Sequence, residues 1–168
     1  MVFVLRWLEL STDQQTLWLK KMIRSEPEYT LTLQNLADQE GRIRQQEEQL
    51  KTLGIDKSGI KRVLDPIRSF TAQLREEIET YEGLKRGEFP EIENFVGMGQ
   101  MLIALRVAKG LTQRELAQRM GVNESQVSRD ERNEYHGVTL DRAQRILEAL
   151  NVRMTTTIQS NGPMNKAG

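Results

Sequence analysis

The chain has 168 residues, of which 38% are hydrophobic and 29% charged, a balance typical of a folded, helix-rich protein. It contains no cysteine, which excludes disulfides and thiolate chemistry, and a cytoplasmic location is expected. No apolar run approaches the roughly 20 residues that a membrane-spanning helix requires. The net charge is zero. It is −4 over residues 22–96 (11 basic, 15 acidic) and +2 over residues 97–153 (9 basic, 7 acidic). These small values do not by themselves indicate a partner.

The first 21 residues contain an incomplete helical stripe, because Gln14 interrupts the spacing of Trp7, Leu10 and Trp18. We predict that residues 1–21 form an N-terminal extension. It is either a segment without independent function or a short helix that packs on a partner.

Two amphipathic segments predict a helical hairpin over residues 22–89. Apolar residues recur at helical spacing from Thr30 to Leu53, and Gly54 stands where a helix-ending glycine belongs. Asp65–Pro66 is a start signal for the second helix, which should end near Gly87. Such a hairpin is either a packing module or an arm for dimerisation or partner binding.

The remaining chain predicts a four- to five-helix domain over residues 90–153, with a C-terminal tail over residues 154–168. Pro90 can open a first short helix that leads to Gly97. The β-branched segment Val152–Ile158 favours one short strand.

A motif of two short helices stands out within this domain. Thr112 and Glu115 have the spacing of a capping box at the start of one helix. Only Gly121–Asn123 separates that helix from the next, which should run from Glu124 to about Asn133. Two helices joined by so tight a glycine turn define a helix-turn-helix, whose second helix recognises DNA.

The segments Gly110–Val122 and Gln126–Glu131 closely resemble the phage-repressor and Cro family, also called the XRE family. The resemblance implies an all-α fold with a lambda-repressor-like DNA-binding domain, no cofactor, and double-stranded DNA as the partner. More loosely, Met22 to Val152 resembles bacterial regulators that carry a helical hairpin ahead of this domain, some of which are antitoxins.

The resemblance also implies roles for individual residues. Ser125, Gln126 and Arg129 would reach base edges, with Gln126 suited to adenine and Arg129 to guanine or to a phosphate. Glu124 would either accept from a cytosine amine or favour the helix dipole. The DNA-binding set is Gln113, Arg114, Asn123, Glu124, Ser125, Gln126, Ser128, Arg129 and Arg132.

Four residues bear on how the recognition helix is held. Arg106 and Glu131 match positions that form a structural ion pair in relatives, and Gln113 would both buttress the helix and contact a phosphate. Asp130 departs from the family pattern, which commonly has a large apolar residue there. Because burial of an unpaired carboxylate is costly, we expect Asp130 to be partly exposed or bonded to the loop of residues 133–137.

Nothing in the sequence indicates catalysis or a metal site. His136 is the single histidine and there is no cysteine, so a standard zinc site is not expected. The favoured function is a transcriptional regulator, a repressor that binds an operator as a homodimer. The alternatives are an antitoxin of a type II pair, which binds a protein toxin and represses its own operon, or an adaptor that has kept only the fold.

Overall fold

The computed structural model describes residues 22–92 and 95–157. The expectations for residues 1–21 and for the end of the tail lie outside the described residues. Six helices follow in chain order: α1 (Glu26–Thr52), α2 (Lys57–Lys85), α3 (Met98–Ala108), α4 (Gln113–Met120), α5 (Glu124–Arg132) and α6 (Leu140–Ala149). The prediction of an all-α fold is confirmed. No helix of the described residues is long and apolar enough to cross a membrane.

Helix α1 begins earlier than its apolar spacing predicted. The Ser25 hydroxyl accepts a hydrogen bond from the Glu28 N–H, and a proline occupies the first turn, so the helix begins at Glu26. It ends as predicted. Gly54 has a φ of 75°, and the Ile55 N–H bonds back to the Leu50 carbonyl, which is the pattern of a glycine-terminated helix.

The predicted start of α2 at Asp65–Pro66 is wrong, because α2 begins at Lys57 and passes through Pro66. Its N-cap is Asp56, whose side chain accepts from the Gly59 N–H at 3.0 Å. A proline inside a helix removes one backbone hydrogen bond. The turns before Pro66 nevertheless stay helical since Leu64 is fully buried there, and that packing outweighs the loss.

Helices α1 and α2 lie antiparallel and are joined along their length by polar pairs. Arg75 contacts Glu40 at 2.6 Å, and near the base of the hairpin the rings of Tyr29 and Tyr81 stack with centroids 4.6 Å apart. The Tyr29 hydroxyl also donates to Glu82 at 2.7 Å. This hydrogen bond, with burial second, raises the pKa of Tyr29.

Two expectations for the C-terminal half are wrong. The helix predicted to open at Pro90 does not form in its described part, because Phe95 and Gly97 have left-handed backbones, with φ of 64° and 82°. The described residues of the DNA-binding half therefore form four helices. Nor does the described stretch Val152–Thr157 form the expected strand, since no other strand in the described residues can pair with it.

One hydrophobic core joins the hairpin to the C-terminal helices. It contains Ile78, Tyr81 and Leu84 from the end of α2 together with the buried faces of α3 to α6. Met22 and Ile23, which precede α1, are 3% and 2% exposed in the same core. The base of the hairpin is thus packed into the half that carries the helix-turn-helix.

Candidate nucleic-acid interface

Helices α4 and α5 are set at a fixed turn by local interactions. The predicted capping box is present: Thr112 Oγ1 accepts from the Glu115 N–H at 3.1 Å, and the Thr112 N–H donates to the Glu115 carboxylate at 2.7 Å. This backbone hydrogen bond, followed by one from the Thr112 hydroxyl, lowers the pKa of Glu115. Gly121 ends α4 with a φ of 65°, a conformation that glycine adopts without steric cost.

Helix α5 is anchored by two residues four positions apart. Val127 and Glu131 are both 0% exposed, whereas the residues between and around them point away from the core. The opposite face of α5 is therefore exposed to solvent over most of its length. Its exposed residues are Glu124, Ser125, Gln126, Arg129 and Arg132, and Ser128 is half-buried at the edge.

The buried carboxylate of Glu131 is fully paired. Arg106, itself 3% exposed, donates to it from Nε at 2.5 Å and from Nη2 at 2.7 Å. Gln113 donates from Nε2 to the same carboxylate at 2.9 Å, and Arg106 Nη1 reaches the Leu111 carbonyl oxygen at 2.6 Å. These bonds tie α3, the start of α4 and α5 together, because a buried charge stays buried only when it is paired.

The structure places the other predicted residues around the same surface. Gln113 is half-buried and Arg114 exposed at the start of α4, and the Gln113 side chain reaches Glu131 in the last turn of α5. Asn123 occupies the N-cap position of α5, but its side chain makes no capping hydrogen bond and is exposed. The predicted residues thus divide between the outer face of α5 and the first turn of α4.

Asp130 has a partner that sequence reasoning missed. Its side chain is 34% exposed, as expected, but it pairs with Arg142 of α6 at 2.8 Å rather than with the loop of residues 133–137. That loop instead covers the core with Tyr135, which is 5% exposed and has a left-handed backbone with a φ of 53°. Burial raises the pKa of Tyr135, with the nearby Glu131 as the next cause.

Sequence reasoning also missed a contact from the N-terminal side. Arg24 donates to the Glu131 carbonyl oxygen at 3.2 Å, and its own carbonyl oxygen faces the Arg106 guanidinium at 3.4 Å. The apolar pair Met22–Ile23, which ends two positions before the Ser25 N-cap, is the signal that could have indicated a docked segment.

The described residues contain no group of three or more His, Cys, Asp or Glu side chains that could hold a metal ion. The exposed groups of the α5 face are amides, hydroxyls and guanidinium groups beside one carboxylate. These side chains are the ones that read base edges and hold phosphates in protein–DNA complexes.

Residues 102–156 match the family model described as Helix-turn-helix. The comparisons with curated proteins and with solved structures each found no match. The match and the geometry of α4 and α5 together define this segment as a DNA-binding helix-turn-helix domain. The match supports a domain of the XRE type over these residues and, through it, a role in DNA-binding transcription regulation.

Proposed function

We propose that α5 enters the major groove of duplex DNA and that the protein is a repressor which binds its operator as a homodimer. The observation that carries the proposal is the division of α5 into a buried face, Val127 and Glu131, and a fully outward polar face. A helix of this length fits the major groove, and its N-terminal residues come nearest to the bases.

The outward residues suit distinct tasks in that position. Gln126 has the two-sided amide that pairs with adenine, and Arg129, one turn on, has the fork that pairs with guanine. Arg132 lies at the C-terminal end of α5, farther from the groove floor, where contact with a phosphate is favoured. Arg114 and Gln113 lie at the N-terminus of α4, a position where backbone and side-chain donors hold phosphates.

Homodimerisation draws support from an apolar ridge on the outer side of α2. The ridge consists of Val63, Pro66, Ile67 and Phe70, which fall on one face of the helix, with Val63 49% exposed, Phe70 47% exposed and Ile67 half-buried. Exposed apolar residues in a continuous row mark interaction surfaces. We propose that residues 22–89 form the dimerisation module and residues 90–153 the DNA-binding module.

The second candidate function is that of an antitoxin, and the same ridge favours it because the ridge lies outside the DNA-binding face. A toxin would occupy it in place of a second copy. The molar mass of the pure protein bears on the choice, since a dimer formed in the absence of any toxin favours self-association.

The proposed function is tested by selecting bound duplexes from a random pool and then comparing variants on the selected site. Arg129→Ala should weaken binding by about 1–3 kcal/mol and relax base preference at one position. Arg132→Ala should weaken binding to all sequences alike. It should also reduce the salt dependence of binding by the amount expected for about one phosphate contact. Arg44→Ala, an exposed arginine of α1, is the matched control and should change neither.

Enrichment of no sequence by the wild-type protein would overturn the proposal. So would an Arg129→Ala variant whose preference is the same as that of the wild type at every base pair.

A further inference from the structure

We propose that Arg24 is a positioning residue for DNA binding, which holds the C-terminal end of α5 and links it to the hairpin. The inference rests on the proposed role of α5 as the recognition helix. Arg24 lies in the segment Met22–Ser25, which we call the strap, and it touches none of the residues predicted to contact DNA.

The side chain of Arg24 contacts the last turn of α5 and the loop directly after it. Its Nη1 donates to the backbone carbonyl oxygen of Glu131 at 3.2 Å, and its Nη2 lies 3.8 Å from the carboxylate of Glu134. The last carbonyls of a helix have no partner within the helix, and a cation near them is favourable for the dipole. Arg24 therefore stabilises α5 at its C-terminus.

The main chain of Arg24 joins the buried ion pair as well. Its carbonyl oxygen lies 3.4 Å from both Nη1 and Nη2 of Arg106, the arginine that also holds the Glu131 carboxylate. Arg24 thus contacts Glu131 directly through its side chain and indirectly through Arg106. Both routes lead to Glu131, one of the two buried residues that anchor α5.

The strap is fixed on both sides of Arg24. Met22 and Ile23 are buried in the common core, and on the other side the Arg24 N–H donates to Glu28 in the first turn of α1 at 2.7 Å. The strap runs into α1 through the Ser25 N-cap. The direction in which α5 points is consequently tied to the hairpin and not only to the helix-turn-helix.

Loss of the Arg24 side chain should loosen α5 without unfolding the protein. Glu134 keeps a second partner, since Gln100 donates to it at 2.9 Å, and the Glu131 carbonyl oxygen still accepts from the Glu134 N–H at 3.0 Å. The Arg24 side chain is 29% exposed, so the space that its removal opens is in contact with solvent. What is lost is the fixed orientation that a base contact needs.

The test compares Arg24→Ala, Arg24→Lys and the wild type in the full chain, on the selected operator and on an unrelated duplex of equal length. Arg24→Ala should lose about tenfold in operator affinity, the worth of one charge-assisted hydrogen bond, with much less loss on the unrelated duplex. Arg24→Lys keeps the charge, but it should recover only part of this loss because one ammonium cannot span both acceptors. Arg75→Ala removes a hairpin ion pair and should leave both affinities unchanged.

Each other outcome has a distinct meaning. Equal losses of Arg24→Ala on both duplexes, with a smaller salt dependence, would show that Arg24 only supplies charge and would overturn the inference. Unchanged operator affinity would do the same. If Arg24→Ala fails to fold, the test uses Arg24→Lys and compares its affinity for the operator with its affinity for the unrelated duplex. If the ratio of these two affinities equals that of the wild type, the inference is rejected. If the wild-type protein selects no operator, the proposed function itself is wrong. This outcome is seen in the wild type alone and is therefore distinct from a failure of the Arg24 inference.

Discussion

Helices α1 and α3 differ sharply in what surrounds them. Nine of the 11 residues of α3 are buried, whereas Thr32 is the single buried residue among the 27 of α1. Helix α3 is held by the core around it, and α1 by one partner helix and a row of partly exposed ion pairs. The DNA-binding half therefore resists change in its interior, and the hairpin leaves most of its surface available to a partner.

The largest expected contrast concerns ion pairs of the two regions. Glu131→Ala leaves Arg106 buried without its partner and should lower the free energy of unfolding by about 3–5 kcal/mol. Arg75→Ala breaks the exposed pair with Glu40 and should cost about 0–1 kcal/mol. Urea denaturation of both variants measures this, and similar costs would refute the contrast.

Alanine substitution of two glycines should change the stability of the protein in opposite directions. A Cβ at Gly99, in the first turn of α3, would overlap the backbone carbonyl of Glu134, so Gly99→Ala should destabilise by about 1–3 kcal/mol. A Cβ at Gly41, in the middle of α1, meets nothing within 4 Å, and Gly41→Ala should stabilise by about 0.5–1 kcal/mol. Thermal unfolding of each variant would show opposite shifts, and a stabilised Gly99→Ala would contradict the packing of the loop on α3.

A smaller contrast is expected at the N-caps. Thr112→Ala removes the hydroxyl of a complete capping box and should cost about 1 kcal/mol. Ser25→Ala removes a longer hydrogen bond, 3.4 Å to the Glu28 N–H, and should cost less. The denaturant midpoints of the two variants show which loss of stability is larger. A larger loss in Ser25→Ala would contradict the prediction.

The smallest effect is a dependence on pH. Since hydrogen bonds from Thr112 lower the pKa of Glu115 in the folded state, its stabilising contribution is present above the ordinary glutamate pKa and is lost as the pH falls through the lowered pKa. The stability difference between the wild type and Glu115→Ala should therefore shrink in acid. A difference that stays constant from neutral pH to pH about 3 would count against this assignment.

The sequence predicted best what neighbouring residues determine. The capping box at Thr112, the glycine turn at Gly121 and the end of α1 at Gly54 each depend on contacts within a few residues, and each is present. The predicted start of α2 was wrong because packing across the hairpin outweighed a local signal, Asp65–Pro66.

Contacts between distant segments were predicted only where the family resemblance implied them, as for Arg106 with Glu131. Arg142 as the partner of Asp130, and Arg24 as a neighbour of Glu131, join residues 12 and 107 positions apart, and no local pattern specifies either pair. The outward face of α5 follows from helical periodicity once Val127 is assigned to the core. Which residues of this face touch bases depends on the complex with DNA, and the Arg129→Ala and Arg132→Ala variants test it.

The shared core affects the order in which the protein can fold during synthesis. Met22 and Ile23 leave the ribosome early, yet the core they enter also contains Leu150 near the end of α6. Contacts across so long a stretch of chain slow folding, because the intervening chain must be closed into a loop first. The early residues must therefore wait for the last helix, and a fragment that begins after residue 89 would expose the surface they normally cover.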